Sequence, residues 1–328
     1  MAKSETLALV GSESLLGREL RDLLSGNALG QDLRLIADGS EEAGLLTRQG
    51  GEPAFIAALE AVNLESAHAI FLAGTPESLE KVLELAPQAH LIDLTFGADE
   101  TPHARLRAPM VEPAGYTVPP DAVHVIANAA AIALALVLDR LHLGSTIERA
   151  LAHVFEPASE RGARGVDELQ QQTIGLLSFK GQPKEIFDAQ LAFNLLAQYG
   201  EEAPTPLEDA ELRIERHLAT LLSLGAQAPM PSLRAIQAPV FHGYSISLWV
   251  EFESNPGLAA IEEILEGEPV DLRPAEPANV VGMAGQDGIA IGGIAIDRNN
   301  PQAVWLWLVI DNLRLRAQNA LAVAQELL

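Results

Sequence analysis

Apolar and polar positions follow two alternating patterns in the first 130 residues. Thr6–Val10 is a short apolar run, and leucines then recur at helical spacing across residues 12–24, which predicts a strand, a tight turn at Gly11 and a helix. A second helix is predicted at residues 76–85. Further apolar runs predict strands at residues 33–37, 69–73, 91–94 and 124–127. Strands that alternate with helices predict an α/β fold whose first domain is a Rossmann-type, doubly wound parallel sheet.

The pattern changes near residue 130, because residues 129–141 predict a buried helix of Ala and Leu. After a strand at residues 146–155, helical spacing predicts helices at residues 165–177, 186–198 and 207–224. Period-two alternation predicts strands at residues 244–252, 288–296 and 304–310, followed by a last helix at residues 313–328. Half-buried strands in succession, with helices on one face, predict a second, α+β domain built on a mixed sheet. We place the two domains at residues 1–130 and 131–312.

The alternation also separates the two faces of the second sheet. One set, which includes Ile246 and Leu248, is predicted to face the core, and Trp249 is predicted to face the other way. Trp305 and Trp307 share a face of their strand. Large aromatic side chains would leave an apolar patch in water, so we expect a second copy of the chain to cover it. The alternative is that the domain's own helices cover that face.

Composition and charge exclude several classes of protein. The chain has 328 residues, 48% of them hydrophobic, and a formal net charge of −24, which disfavours nucleic acid and anionic membrane surfaces as partners. The longest apolar run, residues 129–138, is well short of the roughly 20 residues that cross a bilayer, and we expect a cytoplasmic protein. Cysteine is absent, which excludes disulfides, thiolate metal sites and any cysteine thioester. The histidines have no metal-binding spacing, so no metal site is expected.

The turn between the first strand and helix is placed where a dinucleotide would bind. Gly11 and Gly17 bracket Gly-Ser-Glu-Ser-Leu-Leu-Gly, but Ser14 stands at the middle glycine position, and Glu13 could itself cap the helix. Both retained and degraded nucleotide binding remain open. Residues 37–44 contain Asp38, Glu41 and Glu42 without a basic residue, which favours NAD over NADP or, alternatively, indicates a solvated acidic turn.

Several short motifs resemble, in order, those of the aspartate-semialdehyde dehydrogenase family. Residues 7–17 resemble its cofactor turn, and residues 126–131, Ile-Ala-Asn-Ala-Ala-Ala, resemble its catalytic segment Ile-Ala-Asn-Pro-Asn-Cys. Residues 159–165, with the helix that follows, are similar to its Ser-Gly-x-Gly-x-x-Gly turn. Three more short motifs match at residues 191–195, 238–241 and 311–314. The resemblance implies a homodimer of a Rossmann-type domain and a dimerisation domain, with helix 313–328 returning to the first domain, and an NADPH-dependent reduction of aspartyl phosphate.

The same resemblance assigns the family's catalytic positions to residues that cannot perform this chemistry. The cysteine nucleophile falls on Ala131, the active-site Gln on Glu156, the substrate-binding Arg on Gln237 and the catalytic His on Tyr244. His242 lies two residues earlier and could be a displaced base. An arrangement of Ser159 or Ser245 with His242 is a further alternative. By resemblance, NAD or NADP would bind weakly at Gly11, Ser14, Leu15, Leu16, Gly17, Asp38 and Asn312.

The sequence therefore predicts a family member that keeps the fold and the dimer but has lost the acyl-phosphate reductase chemistry. Such a pseudoenzyme would act as a ligand-binding or regulatory homodimer, or in a hetero-assembly with an active relative. The alternative is an active NAD(P)-dependent semialdehyde dehydrogenase of aspartate-family amino-acid biosynthesis.

Overall fold

The computed structural model describes residues 6–40, 43–85, 88–119 and 121–328. The chain forms two compact units. The first holds the described residues up to Ala127 together with Arg316–Leu328, and the second holds Asn128–Leu315. Among the described residues, no helix has both the length and the apolar character needed to cross a membrane.

The first unit is built on a sheet of eight described strands in the order β3-β4-β2-β1-β5-β6-β8-β7. All pairs are parallel except β3 with β4. Every residue of the central strand β1 is buried, as expected for a parallel strand with both faces covered. The elements are β1 (Thr6–Val10), α1 (Leu15–Ser25), β2 (Leu33–Ile36), β3 (Leu46–Gln49), β4 (Glu52–Ala57), α2 (Ala61–Leu64), β5 (Ala67–Leu72), α3 (Ser78–Leu85), β6 (His90–Asp93), β7 (Ala104–Arg107) and β8 (Val123–Ile126).

The second unit contains a mixed sheet of six described strands in the order β10-β9-β11-β14-β13-β12. β9 pairs in parallel with β10 and antiparallel with β11, which in turn pairs antiparallel with β14. The elements are α4 (Ala129–Gly144), β9 (Ile147–Glu156), α5 (Gly162–Leu177), α6 (Leu207–Leu224), β10 (Ser232–Gln237), β11 (Tyr244–Phe252), α7 (Leu258–Leu265), β12 (Val270–Arg273), α8 (Val280–Met283), β13 (Ile289–Ile296) and β14 (Ala303–Ile310). Helix α9 (Asn312–Leu327) begins in the second unit, and from Arg316 onward it belongs to the first unit. The predicted fold class, a Rossmann-type parallel sheet plus an α+β part with a mixed sheet, is confirmed.

The two faces of the mixed sheet differ as the alternation predicts. Ile246 and Leu248 are fully buried on the face that α4 packs against, whereas Trp249 and Trp305 lie directly opposite each other on the other face. The two indole N–H groups donate to one oxygen, Asp297 Oδ2, at 2.8 and 3.0 Å. Trp305 is still 36% exposed, so this face retains an accessible aromatic surface.

The predicted helix at residues 186–198 is wrong. This segment is a folded loop, and side chains of α5 bind its backbone. Glu168 accepts hydrogen bonds from the backbone N–H groups of Ile186 (2.7 Å) and Phe187 (3.3 Å). The apolar spacing that predicts a helix comes instead from inward-facing residues such as Phe187 and Leu191, which pack in a cluster with α5 and α6. Tertiary contacts therefore replace helical hydrogen bonds in this segment.

The hairpin of β3 and β4 is not among the elements predicted from the sequence. Its turn is Gly50–Gly51, with φ of 56° and 87°, a left-handed pair that glycine adopts without strain. A Gly-Gly pair between two short segments is a hairpin signal that could have identified it.

Candidate functional site

Helix α4 begins at the position that the resemblance assigns to the nucleophile. Asn128 caps the helix, because its Oδ1 accepts a hydrogen bond from Ala130 N at 2.8 Å, and its own N–H donates to His217 Nδ1 at 3.0 Å. Ala131 lies in the first turn and is fully buried. The helix dipole at this point would favour a thiolate, but a methyl group offers no nucleophile.

Glu156 ends β9 inside the second unit and is completely buried. Its Oε1 lies 3.0 Å from Arg161 Nη2, close enough for an ion pair. Burial raises the pKa of Glu156 to about 7, and the Arg161 guanidinium opposes that shift. The Tyr244 hydroxyl also acts to lower the pKa of this carboxyl group, and it accepts a hydrogen bond from Asn128 Nδ2 at 3.4 Å. Glu156, Tyr244 and the cap of α4 therefore form one buried polar chain.

Gln237 ends β10 directly beside Glu156 in the parallel pairing. Its Oε1 accepts a hydrogen bond from the Tyr199 hydroxyl at 2.5 Å, and its Nε2 donates to the backbone oxygens of Glu156 (2.8 Å) and Ala238 (3.1 Å). Gln237 is fully buried, so its amide is engaged on both sides by the protein itself. An amide in this position cannot pair bidentately with a carboxylate as Arg would.

Tyr244 is a poor replacement for a catalytic base. Burial raises its pKa well above the usual value, so the phenol stays protonated near neutral pH. His242 is half-buried, and burial lowers its pKa below 6.5 while Asp311 opposes the shift. Its Nδ1 has no hydrogen-bond partner among the described residues. A neutral imidazole with a free ring nitrogen has the protonation state of a general base.

The two serines considered with His242 are arranged differently. The Ser159 hydroxyl exchanges hydrogen bonds with the side chain of Asn312, at 3.1 and 3.4 Å. Asn312 also donates to Glu160 Oε1 at 2.7 Å and accepts from Gly243 N at 2.9 Å. Ser245 follows Tyr244 on β11 and lies on the opposite face of the sheet. In the described ranges, no hydrogen bond joins His242 to either serine.

The glycine turn of the first unit is shaped by backbone packing. A Cβ atom at Gly11, where φ is +80°, would lie 2.2 Å from Gly74 N, and one at Gly17 would lie 2.1 Å from Gly11 O. Ser14 is the N-cap of α1: its hydroxyl accepts from Gly17 N at 2.9 Å and donates to Ala73 O at 2.6 Å. Ser14 therefore occupies a helix N–H group that a pyrophosphate would use. Leu15 and Leu16 are the first two residues of the helix.

Glu13 does not take the capping role expected of it. Its carboxylate instead forms ion pairs with Arg21 and, at 3.3 Å, with Arg18. The guanidinium of Arg21 also donates to Gln49 Oε1 at 3.1 Å and Thr47 Oγ1 at 3.0 Å, which joins α1 to the hairpin. The capping hydroxyl comes from the next residue because its short side chain can reach the N–H three residues later.

Asp38 follows β2 and is buried within the first unit. One carboxylate oxygen accepts from Ser40 N at 2.9 Å and the other from Thr75 N at 2.8 Å, so the side chain joins the loops that follow β2 and β5, the strands on either side of β1. Glu41 and Glu42 lie outside the described residues. Asn312 belongs to the second unit. The residues proposed from the sequence to bind cofactor thus lie in two separate units of the fold.

Across the part of the chain that the structure describes, no group of His, Asp or Glu side chains could hold a metal ion. The polar groups of the second unit form a hydrogen-bonded and ion-paired cluster instead. Its members are Asn128, Glu156, Ser159, Glu160, Arg161, Tyr199, Gln237, Tyr244 and Asn312.

Comparison with known proteins identifies the family. The model of the semialdehyde dehydrogenase dimerisation domain matches residues 140–315, over half of the chain. An aspartate-semialdehyde dehydrogenase of Rickettsia bellii is 27% identical over 100% of this chain and 99% of the relative. A USG-1 protein homolog of Azotobacter vinelandii is 29% identical over the same shares of the two chains.

Solved structures agree with these relatives. The chain is similar to the structure of a probable aspartate-semialdehyde dehydrogenase from Pseudomonas aeruginosa, with a TM-score of 0.84 and 26% identity over 99% of this chain and 98% of the other. An aspartate-semialdehyde dehydrogenase of Candida albicans, solved with NADP, shares the fold with a TM-score of 0.66 and 13% identity over 98% of both chains. The chain therefore belongs to the aspartate-semialdehyde dehydrogenase family.

Proposed function

We propose that this protein is a dimeric family member that does not carry out acyl-phosphate reduction and acts as a ligand-binding or regulatory protein. The observation that carries the proposal is Ala131, buried in the first turn of α4, in a chain without cysteine. A covalent acyl intermediate needs a nucleophile at the reacting carbon, and a methyl group cannot form the bond.

The surroundings of Ala131 support the same conclusion. Gln237 stands where the resemblance assigns an Arg, and its amide is engaged by Tyr199 and by backbone oxygens. Glu156 brings a carboxyl group into a site that would receive an anionic substrate, and Arg161 pairs with it. These replacements contact one another, so the cluster is held together without a substrate.

A coupled assay tests the proposal directly. Purified protein is incubated with aspartate semialdehyde, phosphate and NADP or NAD, and absorbance of the reduced nicotinamide is followed. We expect no turnover above a heat-inactivated blank. Turnover that scales with protein concentration, in material from a host lacking its own enzyme, would refute the proposal and favour the alternative of an active NAD(P)-dependent semialdehyde dehydrogenase.

Restoring the thiol alone should not restore the reaction. Ala131→Cys places a thiol at the start of α4, but Gln237 still offers no cation and Tyr244 no base near neutral pH. Residues of one catalytic unit act non-additively, so we expect the variant to stay inactive. Ala130→Cys, a buried position in the same helical turn, is the matched control for thiol reactivity. Activity in Ala131→Cys only would show that the base and the anchor are wrongly assigned.

We also propose that NADP binds weakly and no more tightly than NAD. The Ser14 hydroxyl already occupies Gly17 N, and Asp38 provides no positive charge for a 2′-phosphate. Calorimetric titration with both nucleotides checks this, and Ser14→Gly, which frees that N–H group, should bind more tightly than the wild type. A micromolar constant for NADP with clear preference over NAD would contradict the proposal.

The proposed homodimer uses the aromatic face of the second unit. The matching dimerisation-domain model includes all three tryptophans, and Trp305 remains partly exposed beside Trp249. Light scattering should give a mass near twice 34.9 kDa at micromolar concentration. A hetero-assembly with an active relative would use the same surface, and mixing the two purified proteins before light scattering distinguishes the cases.

A further inference from the structure

Two charged residues stand in the turn between β9 and α5. Glu160 and Arg161 follow Ser159 and precede Gly162, whose φ is +65°. In the motif that this turn resembles, Ser-Gly-x-Gly, Glu160 takes the place of a glycine and Arg161 the variable place. Both side chains point back into the polar cluster: Glu160 accepts from Asn312, and Arg161 pairs with Glu156.

The Arg161 guanidinium lies in a pocket made by a carboxylate and an aromatic ring. Its Nη2 is 3.0 Å from Glu156 Oε1, and its central carbon is 5.4 Å from the centre of the Tyr199 ring. The side chain is only 12% exposed. The Glu160 carboxylate adds further negative charge. A carboxylate together with the face of an aromatic ring is the combination of groups that binds a guanidinium.

The contacts are mainly ionic and aromatic. Arg161 Nε and Nη2 are buried, and neither has a hydrogen-bond acceptor in aligned geometry among the described residues. The same holds for Glu156 Oε1. The cation is therefore held by charge and by the ring face, and a free guanidinium could adopt the same position without the geometric limits of the side chain.

We infer that Glu156, Glu160 and Tyr199 form a guanidinium-binding site that the chain's own Arg161 fills. The site selects cations, because two carboxylates and the face of an aromatic ring line it. If the cluster is the inherited substrate site, an anionic acyl phosphate would meet the same two carboxylates. The inference rests on the proposed function only in taking the cluster as the inherited substrate site. That Arg161 fills the guanidinium site follows from its contacts alone.

Chemical rescue tests the inference. Arg161→Ala should lower the thermal midpoint of unfolding, because it removes the cation that is paired with the buried Glu156 carboxyl. Low-millimolar methylguanidinium chloride should then restore part of the loss. Arg164→Ala is the matched control, since Arg164 follows three residues later in the first turn of α5, is 72% exposed and is 3.7 Å from Glu185. Sodium chloride at equal ionic strength controls for screening.

The expected pattern is specific to the site. Methylguanidinium should raise the midpoint of Arg161→Ala but not of the wild type or Arg164→Ala, and adding Glu156→Gln to Arg161→Ala should abolish the rescue. Equal effects on all variants, or a midpoint of Arg161→Ala that matches Arg164→Ala, would overturn the inference. Should Arg161→Ala fail to fold, recovery of soluble protein on refolding with methylguanidinium supports the inference, and no recovery overturns it. Semialdehyde turnover by the wild type would refute the proposed function while leaving the rescue result intact.

Discussion

The side-chain amide of Gln172 fixes the loop that follows α5, and its removal has a calculable cost. Its Oε1 accepts from the N–H groups of Leu191 at 2.7 Å and Ala192 at 3.0 Å. Its Nε2 donates to the carbonyl oxygens of Pro183 at 2.8 Å and Ala189 at 3.0 Å. Gln172 itself is fully buried, so water cannot replace these partners without local opening. Gln172→Ala removes these four bonds and a fifth, longer one from Nε2 to Glu168 Oε1 at 3.3 Å.

The magnitude follows from these four bonds. Each contributes about 1 kcal/mol net, and a buried group left without a partner costs about 1–3 kcal/mol, while relaxation of the loop recovers part of that. We therefore expect Gln172→Ala to lower the free energy of unfolding of the second unit by about 3–5 kcal/mol. The intrinsic helix preference works in the other direction by a few tenths of a kcal/mol, since Ala is the better helix former.

Two measurements check this expectation. Urea unfolding followed by circular dichroism gives the global change, and amide hydrogen exchange of residues 183–199 reports local opening. Gln170→Ala and Gln171→Ala are matched controls, because both glutamines are exposed on the same helix. We expect both controls to stay near the wild-type stability. A loss in Gln172→Ala no larger than in the controls would refute the account of why residues 186–198 form a loop.

Other predictions follow from the two units. Burial lowers the pKa of His124 to about 4 from its ordinary 6.5, so its contribution to stability is present above pH 6.5 and is lost as the pH falls toward 4. In urea titrations at successive pH values, the wild type should lose about 3 kcal/mol of unfolding free energy through His124 as the pH falls from 6.5 toward 4, and His124→Gln should not show this loss. An unchanged pH profile in the variant would contradict the prediction. Trp305→Glu should convert the dimer to a monomer in light scattering, since it places charge on the aromatic face, and a retained dimer would exclude this face as the interface. Gly17→Ala should destabilise the first unit by at least about 2 kcal/mol because its Cβ atom would collide with Gly11 O. Gly26→Ala should be tolerated, since its Cβ atom would lie 3.9 Å from the nearest atom. Equal calorimetric midpoints for the two variants would show that the turn can shift.

The elements that could be predicted from the sequence are those in which buried positions repeat with the period of a helix or a strand. β1 is a continuous apolar run because both of its faces are covered, and β11 alternates because one of its faces is buried and the other is partly exposed over most of its length. The turn at Gly11 could be predicted because only glycine fits there: its φ is left-handed, and a Cβ atom would collide with Gly74. The absence of cysteine is known from the sequence alone, and it excludes a cysteine thioester.

The hydrogen bonds and ion pairs between buried polar groups could not be predicted from the sequence and are known only from the folded structure. Residues 186–198 have helical apolar spacing, yet their backbone is bound by Glu168 and Gln172, up to 20 residues away. In the sequence, Arg161 cannot be distinguished from an ordinary charged residue in a turn. Its contacts with Glu156 and Tyr199 depend on how β9, α5 and the loop that leads to Tyr199 pack together. Local spacing reports burial because each residue's exposure recurs with the period of its own element. Pairing of buried polar groups has no such period, because it is set by elements that are distant in the chain and come together only on folding.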